Sequence, residues 1–420
     1  MDGLPLELVF SIIEQLDTAA DEESLRALSL VCRSFLYASQ RCLFCSLALH
    51  TDPSYRRRKF RPGFGLGRRY RLANTFTRAF SVFTTSPHLA RHVRSLTIVV
   101  EPNVDETAVG GVLRLLCGIE CLSIEGITRG DFPWKSTPTP MSPYWQAIRL
   151  PGLRSLRLSD TRGLPSALLT YATSTLSHVL VDNISIDDNP ETNGVASFLA
   201  TETHPRRSSA LEHLTILSLH RDEPSELFFR DIARHAMLGL RRLDLRVSHG
   251  NGHTLLHPST FHWSTLTHLE LQWRPLLSSL NTVAVPPLPA LRTLTMRIDL
   301  SSCIARGYAP QLAQTALNVG TTAPALEQLN VTISSGILGH VGSNTSTTPL
   351  PPPIPWPPFD DAQSYAAQLP HLQRICCRLE HVLYERCVGT FIVHMEGVFP
   401  APAREEGVLV FEALTGPARD

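Results

Sequence analysis

The sequence contains very little lysine, no long apolar run and no excess of charge of either sign. Lys59 and Lys135 are the only lysines, so arginine supplies almost all of the positive charge. The 38 basic residues equal the 38 acidic residues, which argues against a general electrostatic attraction to nucleic acid or anionic membranes. No apolar run approaches the roughly 18 residues of a membrane-spanning helix, and the N-terminus lacks the pattern of a secretory signal. We therefore expect an intracellular protein, cytoplasmic or nuclear, that binds neither nucleic acid nor membranes.

Motifs for catalysis and cofactor binding are also missing. Gly63, Gly65 and Gly67 follow no predicted strand and do not have the spacing of a phosphate-binding loop. Cys42 and Cys45 have C-x-x-C spacing, but no second pair follows at the spacing of zinc ligands, so we interpret them as core thiols. We expect no catalytic residues, no metal site and no cofactor. A hydrolase site assembled only by the fold is the alternative that stays open.

The first fifty residues contain two apolar patterns with helical spacing. Pro5 suits the first turn of a helix, and apolar residues follow at positions 8, 9, 12, 13 and 16. After an acidic gap, a second run places Leu28, Val31, Cys32 and Phe35 on one face. We predict two or three short helices here. Helices this short cannot bury their apolar faces alone, so they need the rest of the chain or a partner.

These two patterns resemble the F-box, a helical module that binds a Skp-type adaptor and thereby joins a cullin-type ubiquitin ligase. The resemblance rests on the motifs LPLEL at residues 4–8 and VCRSF at residues 31–35, and the segment 18–24 between them is a few residues longer than usual. By position, the resemblance implies a set of adaptor-binding residues. They are Leu4, Pro5, Leu8, Ile12, Val31, Cys32 and Phe35.

Beyond residue 90 one apolar pattern, L-x-x-L-x-L, recurs ten times at intervals of 23 to 46 residues. The copies begin at Val93, Ile119, Leu153, Leu176, Leu211, Leu240, Leu266, Leu291, Leu326 and Leu372. The last two apolar side chains of each copy share one face of a strand, because the period of a strand is two residues. Intervals of 20–29 residues are typical of leucine-rich repeats, in which neighbouring units stack to bury a shared core.

The two parts together resemble fungal-type F-box proteins with degenerate leucine-rich repeats. The resemblance implies an α/β fold: an F-box-like helical module followed by an irregular leucine-rich-repeat solenoid, a curved parallel sheet with helices and loops outside. We predict the helical module at residues 1–50, a basic linker and helix at 51–90, the solenoid at 91–400 and a C-terminal tail or cap at 401–420. An ordinary α/β domain with many strands is the alternative.

Two stretches interrupt the repeats. Residues 55–71 interleave arginines with aromatic residues, and we interpret them as a solvated linker; a site for nucleic acid, acidic peptide or phosphate is the alternative. Residues 336–361 are rich in proline, serine and glycine and predict a long surface loop. Elsewhere, helical apolar spacing predicts helices within residues 72–90 and 106–116.

The resemblance implies a non-catalytic subunit that recognises substrates for a ubiquitin ligase. Its partners would be a Skp-type adaptor with the cullin ligase core and an unidentified protein target. An interaction scaffold of the same fold without a ligase role is the alternative. Because strand side chains alternate, residues between the buried leucines would face outward and form the target-binding surface. We predict that this surface includes Arg242, Asp244, His268, Glu270 and Arg292.

Overall fold

A computed structural model describes twelve segments of the chain. They are residues 5–16, 21–50, 73–100, 106–126, 143–187, 211–219, 239–247, 263–273, 287–299, 322–334, 369–382 and 409–415. The predicted linker at 55–71 and the predicted loop at 336–361 lie outside these segments. The chain divides into two compact units, Met1–Ser208 and Ser209–Asp420, and both contain parallel β-structure. None of the described helices is long and apolar enough to cross a membrane.

The first unit begins with three helices, which we call the helical module. They are α1 (Leu6–Gln15), α2 (Glu22–Leu28) and α3 (Arg33–Phe44). Ile13, Leu25, Ala38 and Cys42 form a small buried core between them. The first apolar pattern forms α1, as predicted. The second does not form one helix, because α2 ends at Leu28, Val31 and Cys32 lie in the connection that follows, and Phe35 belongs to α3. Pro5 lies one residue before α1, where its missing N–H and fixed φ do no harm.

The sheet of the first unit follows the helical module. Its strands are β1 (Ser46–His50), β2 (Ala73–Thr75), β3 (Ser95–Val100), β4 (Cys121–Gly126), β5 (Ser155–Ser159) and β7 (His178–Ile184). They pair in parallel in the order β2-β1-β3-β4-β5-β7. The short strands β6 (Leu164–Pro165) and β8 (Ile186–Asp187) pair separately.

Five further helices connect these strands. They are α4 (Phe76–Thr85), α5 (Pro87–Ala90), α6 (Glu106–Leu115), α7 (Pro143–Ile148) and α8 (Ser166–Thr175). The helix predicted within 106–116 is confirmed. The prediction of one helix over 72–90 is wrong in part, because residues 73–75 form β2 and Ser86 separates α4 from α5. Thr75 then ends the strand and caps α4, since its Oγ1 accepts a hydrogen bond from the backbone N–H of Arg78 at 3.3 Å.

The second unit is a parallel sheet whose strands pair in chain order. They are β9 (His213–Leu219), β10 (Arg242–Val247), β11 (His268–Trp273), β12 (Thr293–Asp299), β13 (Gln328–Ser334), β14 (Arg374–Val382) and β15 (Leu409–Thr415). The short 3₁₀ turn Trp263–Thr265 leads into β11. Strand β15 comes from the segment predicted as a tail or cap, so this sheet continues beyond residue 400.

All ten copies of the apolar pattern coincide with parallel strands. Leu243 of β10 aligns with Leu214 of β9 and Leu269 of β11, and all three side chains are buried. A pair of backbone hydrogen bonds recurs with the same regularity at the start of successive strands. The N–H groups of Arg241 and Arg242, for example, both donate to the carbonyl oxygen of Glu212. The structure is therefore a repeat-like parallel sheet whose register is maintained by stacked leucines and a recurring pair of hydrogen bonds.

Candidate functional site

The side chains that alternate with the buried leucines of β9–β15 form a second surface, which we call the polar face. On this face Arg242 aligns with His268 of the next strand, and Asp244 aligns with Glu270. Four of the five residues predicted for target binding therefore lie on neighbouring positions of one surface. They are adjacent because the leucines of both strands share the same register.

An ion-pair network across four strands joins Arg242, Asp244 and Glu270 to His213 and Arg297. Nε2 of His213 lies 2.8 Å from Oδ2 of Asp244, and Nε of Arg242 donates to Oδ1 of Asp244 at 3.1 Å. Nη2 of Arg242 lies 3.6 Å from Oε2 of Glu270. Nε of Arg297 lies 2.6 Å from the other oxygen of Glu270. Each carboxylate is thus held between two basic side chains.

The arginines are the outer members of this network. The side chains of Arg242 and Arg297 are 48% and 38% exposed, whereas those of Asp244 and Glu270 are 14% and 23% exposed. The carboxylates are therefore largely covered, and the N–H groups of the guanidiniums reach the solvent. A guanidinium has five N–H donors, so one ion pair leaves further donors for a ligand.

Asp244 of the network and the neighbouring residue His268 have shifted pKa values. Burial alone raises the pKa of Asp244, but hydrogen bonds from His213 and Arg242 outweigh it and hold that pKa below its ordinary value. Burial and the charge of Arg242 lower the pKa of His268. The first shift favours the ionised carboxylate of Asp244, and the second favours the uncharged imidazole of His268.

The polar face continues over the last three strands. Asn330 donates from Nδ2 to Oγ1 of Thr295 at 3.1 Å. Glu412 of β15 accepts hydrogen bonds from Arg378 at 2.9 Å and 2.6 Å and from Arg374 at 3.2 Å, and the bonds from Arg378 are the main cause of its lowered pKa. The pattern of arginines placed around a carboxylate therefore recurs at this end of the sheet.

The fifth predicted target-binding residue, Arg292, has a different setting. It precedes β12 and its Nη1 lies 3.5 Å from Oε1 of Glu327, at the rim of the sheet. Arg297 and Arg378 are members of the polar face that the sequence prediction did not include. Both occupy the position after the third apolar residue of a copy. Continuing the strand alternation by one residue would have identified them.

A separate apolar surface lies on the helical module. In the part of the chain that the structure describes, seven large apolar side chains are exposed, and all except Phe80 belong to this module. We call these six residues the apolar surface of the module: Leu8, Ile12, Leu30, Val31, Leu36 and Tyr37. Leu8 and Ile12 are 53% and 57% exposed and Val31 is 65% exposed. All six lie between residues 8 and 37, and exposed apolar side chains mark interaction surfaces where they form a contiguous patch.

The residues predicted to bind an adaptor divide between two environments. Leu8, Ile12 and Val31 belong to the apolar surface, and Pro5 and Cys32 are exposed near it in sequence. Phe35 packs against the buried core of the module instead. Leu4 lies outside the described segments. The residues predicted to bind an adaptor thus belong to two surfaces, one that faces the core of the module and one that faces solvent.

The cysteines of the C-x-x-C sequence lie at the end of α3. Cys42 is buried and its Sγ lies 3.6 Å from the carbonyl oxygen of Ile13, while Cys45 is partly buried. Burial raises the pKa of both thiols, which disfavours the reactive thiolate at neutral pH. No cluster of three or more His, Cys, Asp or Glu side chains within the described segments is placed to hold a metal ion.

Comparison with models of known protein families and with curated proteins finds nothing that matches this chain.

Proposed function

We propose that this chain is a non-catalytic, substrate-recognising subunit of a cullin-type ubiquitin ligase. It would consist of an F-box-like helical module and an irregular leucine-rich-repeat solenoid. The observation that carries the proposal is the concentration of exposed apolar side chains on the helical module. The role of the chain would be to hold a target close to the ubiquitin donor, while partner enzymes supply the chemistry.

The module has two features of an obligate docking element. Four apolar residues form the buried core of its described part, and Leu8, Ile12 and Val31 remain more than half exposed. Covering these side chains would remove apolar area from water, which is favourable by about 25 cal/mol per Å². The motifs LPLEL and VCRSF point to a Skp-type adaptor as the partner.

The polar face is the proposed surface for the target. Its outermost groups are guanidiniums, and its carboxylates lie beneath them. Guanidiniums bind carboxylates through charge-assisted hydrogen bonds, often two at once. We therefore propose that the target presents an acidic segment to Arg242, Arg297 and Arg378.

A scaffold of the same fold without a ligase role is the second candidate. The observation that favours it is the lengthened segment 18–24 between the two motifs of the module. An adaptor that requires the usual spacing of the two helices would not tolerate this insertion. Adaptor binding distinguishes the two candidates.

A charge exchange on the polar face tests the target-binding proposal. The double variant Arg242→Glu with Glu270→Arg keeps the net charge of the protein but places like charges beside Asp244 and Arg297. We expect proximity labelling of the target in cells to fall at least about tenfold, because 1.4 kcal/mol is a factor of ten in affinity and buried or partly buried charge pairs contribute more than this. Labelling of the adaptor should not change.

The matched control exchanges two charges at the rim of the same sheet, Arg241→Glu with Glu212→Arg. Both side chains are exposed and precede their strands. An equal loss of labelling from both exchanges would contradict a specific role for the polar face. If labelling survives both exchanges and is lost only when residues 55–71 are deleted, the arginine-rich segment recognises the target and the sheet is a scaffold.

A further inference from the structure

A cleft of about 580 Å³ lies in the first unit, between α3 and the segment that leads into β3. From α3 it is lined by Tyr37 and Arg41, and Cys45 lies at the end of that helix. From the other side it is lined by His88, Arg91, His92 and Arg94. Three arginines and two histidines thus converge on one cleft whose lining contains no carboxylate among the described residues. Neither proposed surface, the polar face or the apolar surface of the module, accounts for this basic lining.

Two of the arginines are held in place by carboxylates outside the lining. Nη1 of Arg41 lies 3.1 Å from Oε1 of Glu14. Nη1 of Arg94 donates to the carbonyl oxygen of Gly118 at 3.2 Å and lies 3.4 Å from Oε1 of Glu120. These contacts fix the two side chains and leave most of their N–H donors unused.

The third guanidinium has no ion pair of this kind. Arg91 is exposed, and no ion pair joins it to an acidic residue in the segments that the structure describes. Within the described segments, the positive charge of Arg91 is therefore not compensated by an acidic side chain. In a partly enclosed site such charge attracts anions more strongly than it would on an open surface, because the surrounding protein weakens the screening by water.

His92 is the most buried residue of the cleft lining, and one of its ring nitrogens makes no hydrogen bond to the described residues. Its side chain is only 8% exposed, and its Nε2 is buried without a hydrogen-bond partner. The ring of Tyr37 contacts the ring of His92 edge-on, with centroids 5.1 Å apart. A buried polar nitrogen without a partner costs about 1–3 kcal/mol. Because Nε2 has almost no accessible surface, the ring would turn towards an acceptor oxygen bound in the cleft, and the new hydrogen bond would remove this cost.

We propose that this cleft binds a small anion that carries a diphosphate group. Phosphoryl oxygens are acceptors that match the paired N–H groups of arginine, and the imidazole of His92 would donate to one of them. The volume is within the range of about 300–1,000 Å³ that is usual for small-molecule sites and exceeds the needs of a single phosphate. The diphosphate could be inorganic or part of a nucleotide, and Tyr37 is the aromatic side chain that a base could contact.

Calorimetric titration of the full chain with inorganic pyrophosphate at about 0.15 M salt tests the site, since this salt screens loose surface binding. We expect saturable binding with one ligand per chain. Arg91→Gln should weaken it about tenfold or more, the usual effect of losing a hydrogen bond from a charged donor. Arg114→Gln, which removes an exposed arginine that does not line the cleft, should leave it unchanged. His92→Phe keeps an aromatic ring against Tyr37 and should also weaken binding.

Three outcomes would contradict the proposal. They are the absence of pyrophosphate binding at millimolar concentration, an equal loss in the Arg91→Gln and Arg114→Gln variants, and binding of citrate as tight as that of pyrophosphate. Because Arg91 is exposed, its variant stays informative even if His92→Phe does not fold. Titration with adenosine diphosphate distinguishes the two sources. If adenosine diphosphate binds more tightly than pyrophosphate, the ligand is a nucleotide. If it binds more weakly, the ligand is the inorganic ion.

Discussion

Leu243→Ala should lower the free energy of unfolding of the second unit by about 2–5 kcal/mol, the usual cost of removing a buried leucine side chain. Leu243 has no measurable exposure and aligns with Leu214 and Leu269 on the neighbouring strands. The cavity would therefore be surrounded by other repeat positions that are already packed. Hydrogen exchange of peptides from β10 and β11, followed by mass spectrometry, measures this change in opening free energy.

Arg241→Ala is the control for this experiment. Arg241 precedes the same strand and its side chain is exposed, so its replacement should change stability by no more than about 0.5 kcal/mol. If Leu243→Ala behaved like the control, the leucine would not belong to a packed core. The phase of the repeat would then be wrong throughout this sheet.

Gly126→Ala should destabilise the first unit by about 2–3 kcal/mol or more, the upper end of the usual range for overpacking. A Cβ atom on Gly126 would lie 2.0 Å from the backbone carbonyl oxygen of Asp160, and backbone cannot move aside as a flexible side chain can. Gly126 ends β4 and Asp160 directly follows β5. The substitution would therefore force these two adjacent strands apart at their C-terminal ends.

Gly110→Ala provides a matched change in the same unit. Gly110 lies in α6, and a Cβ atom there would be 3.6 Å from Cβ of Pro143, an ordinary contact. Alanine in place of an interior helical glycine stabilises a helix by about 0.5–1 kcal/mol. The two variants should therefore change the midpoint of thermal unfolding in opposite directions. Equal midpoints for both would mean that β4 and β5 are not as close as described.

Ten of the described strands, β3–β5, β7 and β9–β14, could be predicted from the sequence, because two features coincide at each of them. Each copy of the apolar pattern has the period of a strand, and a stacked repeat must bury that pattern against its neighbours. Residues such as Leu269 and Leu294 therefore indicate both the strand and the side of it that is buried. The same alternation placed Arg242, Asp244, His268 and Glu270 on one surface.

Other features depend on contacts between segments that are distant in sequence. We predicted residues 73–75 within a helix, but they form β2, because pairing with β1 competes with the local preference for a helix. The ion-pair partner of each charged residue also depends on the register between neighbouring strands. The apolar pattern indicates that register only at the positions of its own apolar residues. The cleft lined by Tyr37 exists because α3 lies beside the segment that contains Arg91 and His92. No local pattern in the sequence predicts that arrangement.

Binding of a purified Skp-type adaptor to the full chain tests the proposed function most directly. We predict measurable binding by the unmodified chain, weakened at least about a hundredfold in the triple variant Leu8→Ala, Ile12→Ala and Val31→Ala, since central apolar anchors each contribute about 1–2 kcal/mol or more. Phe80→Ala, which truncates the exposed apolar residue outside the module, should bind like the unmodified chain. Failure of the unmodified chain to bind the adaptor at micromolar concentrations, or undiminished binding by the triple variant, would contradict the account.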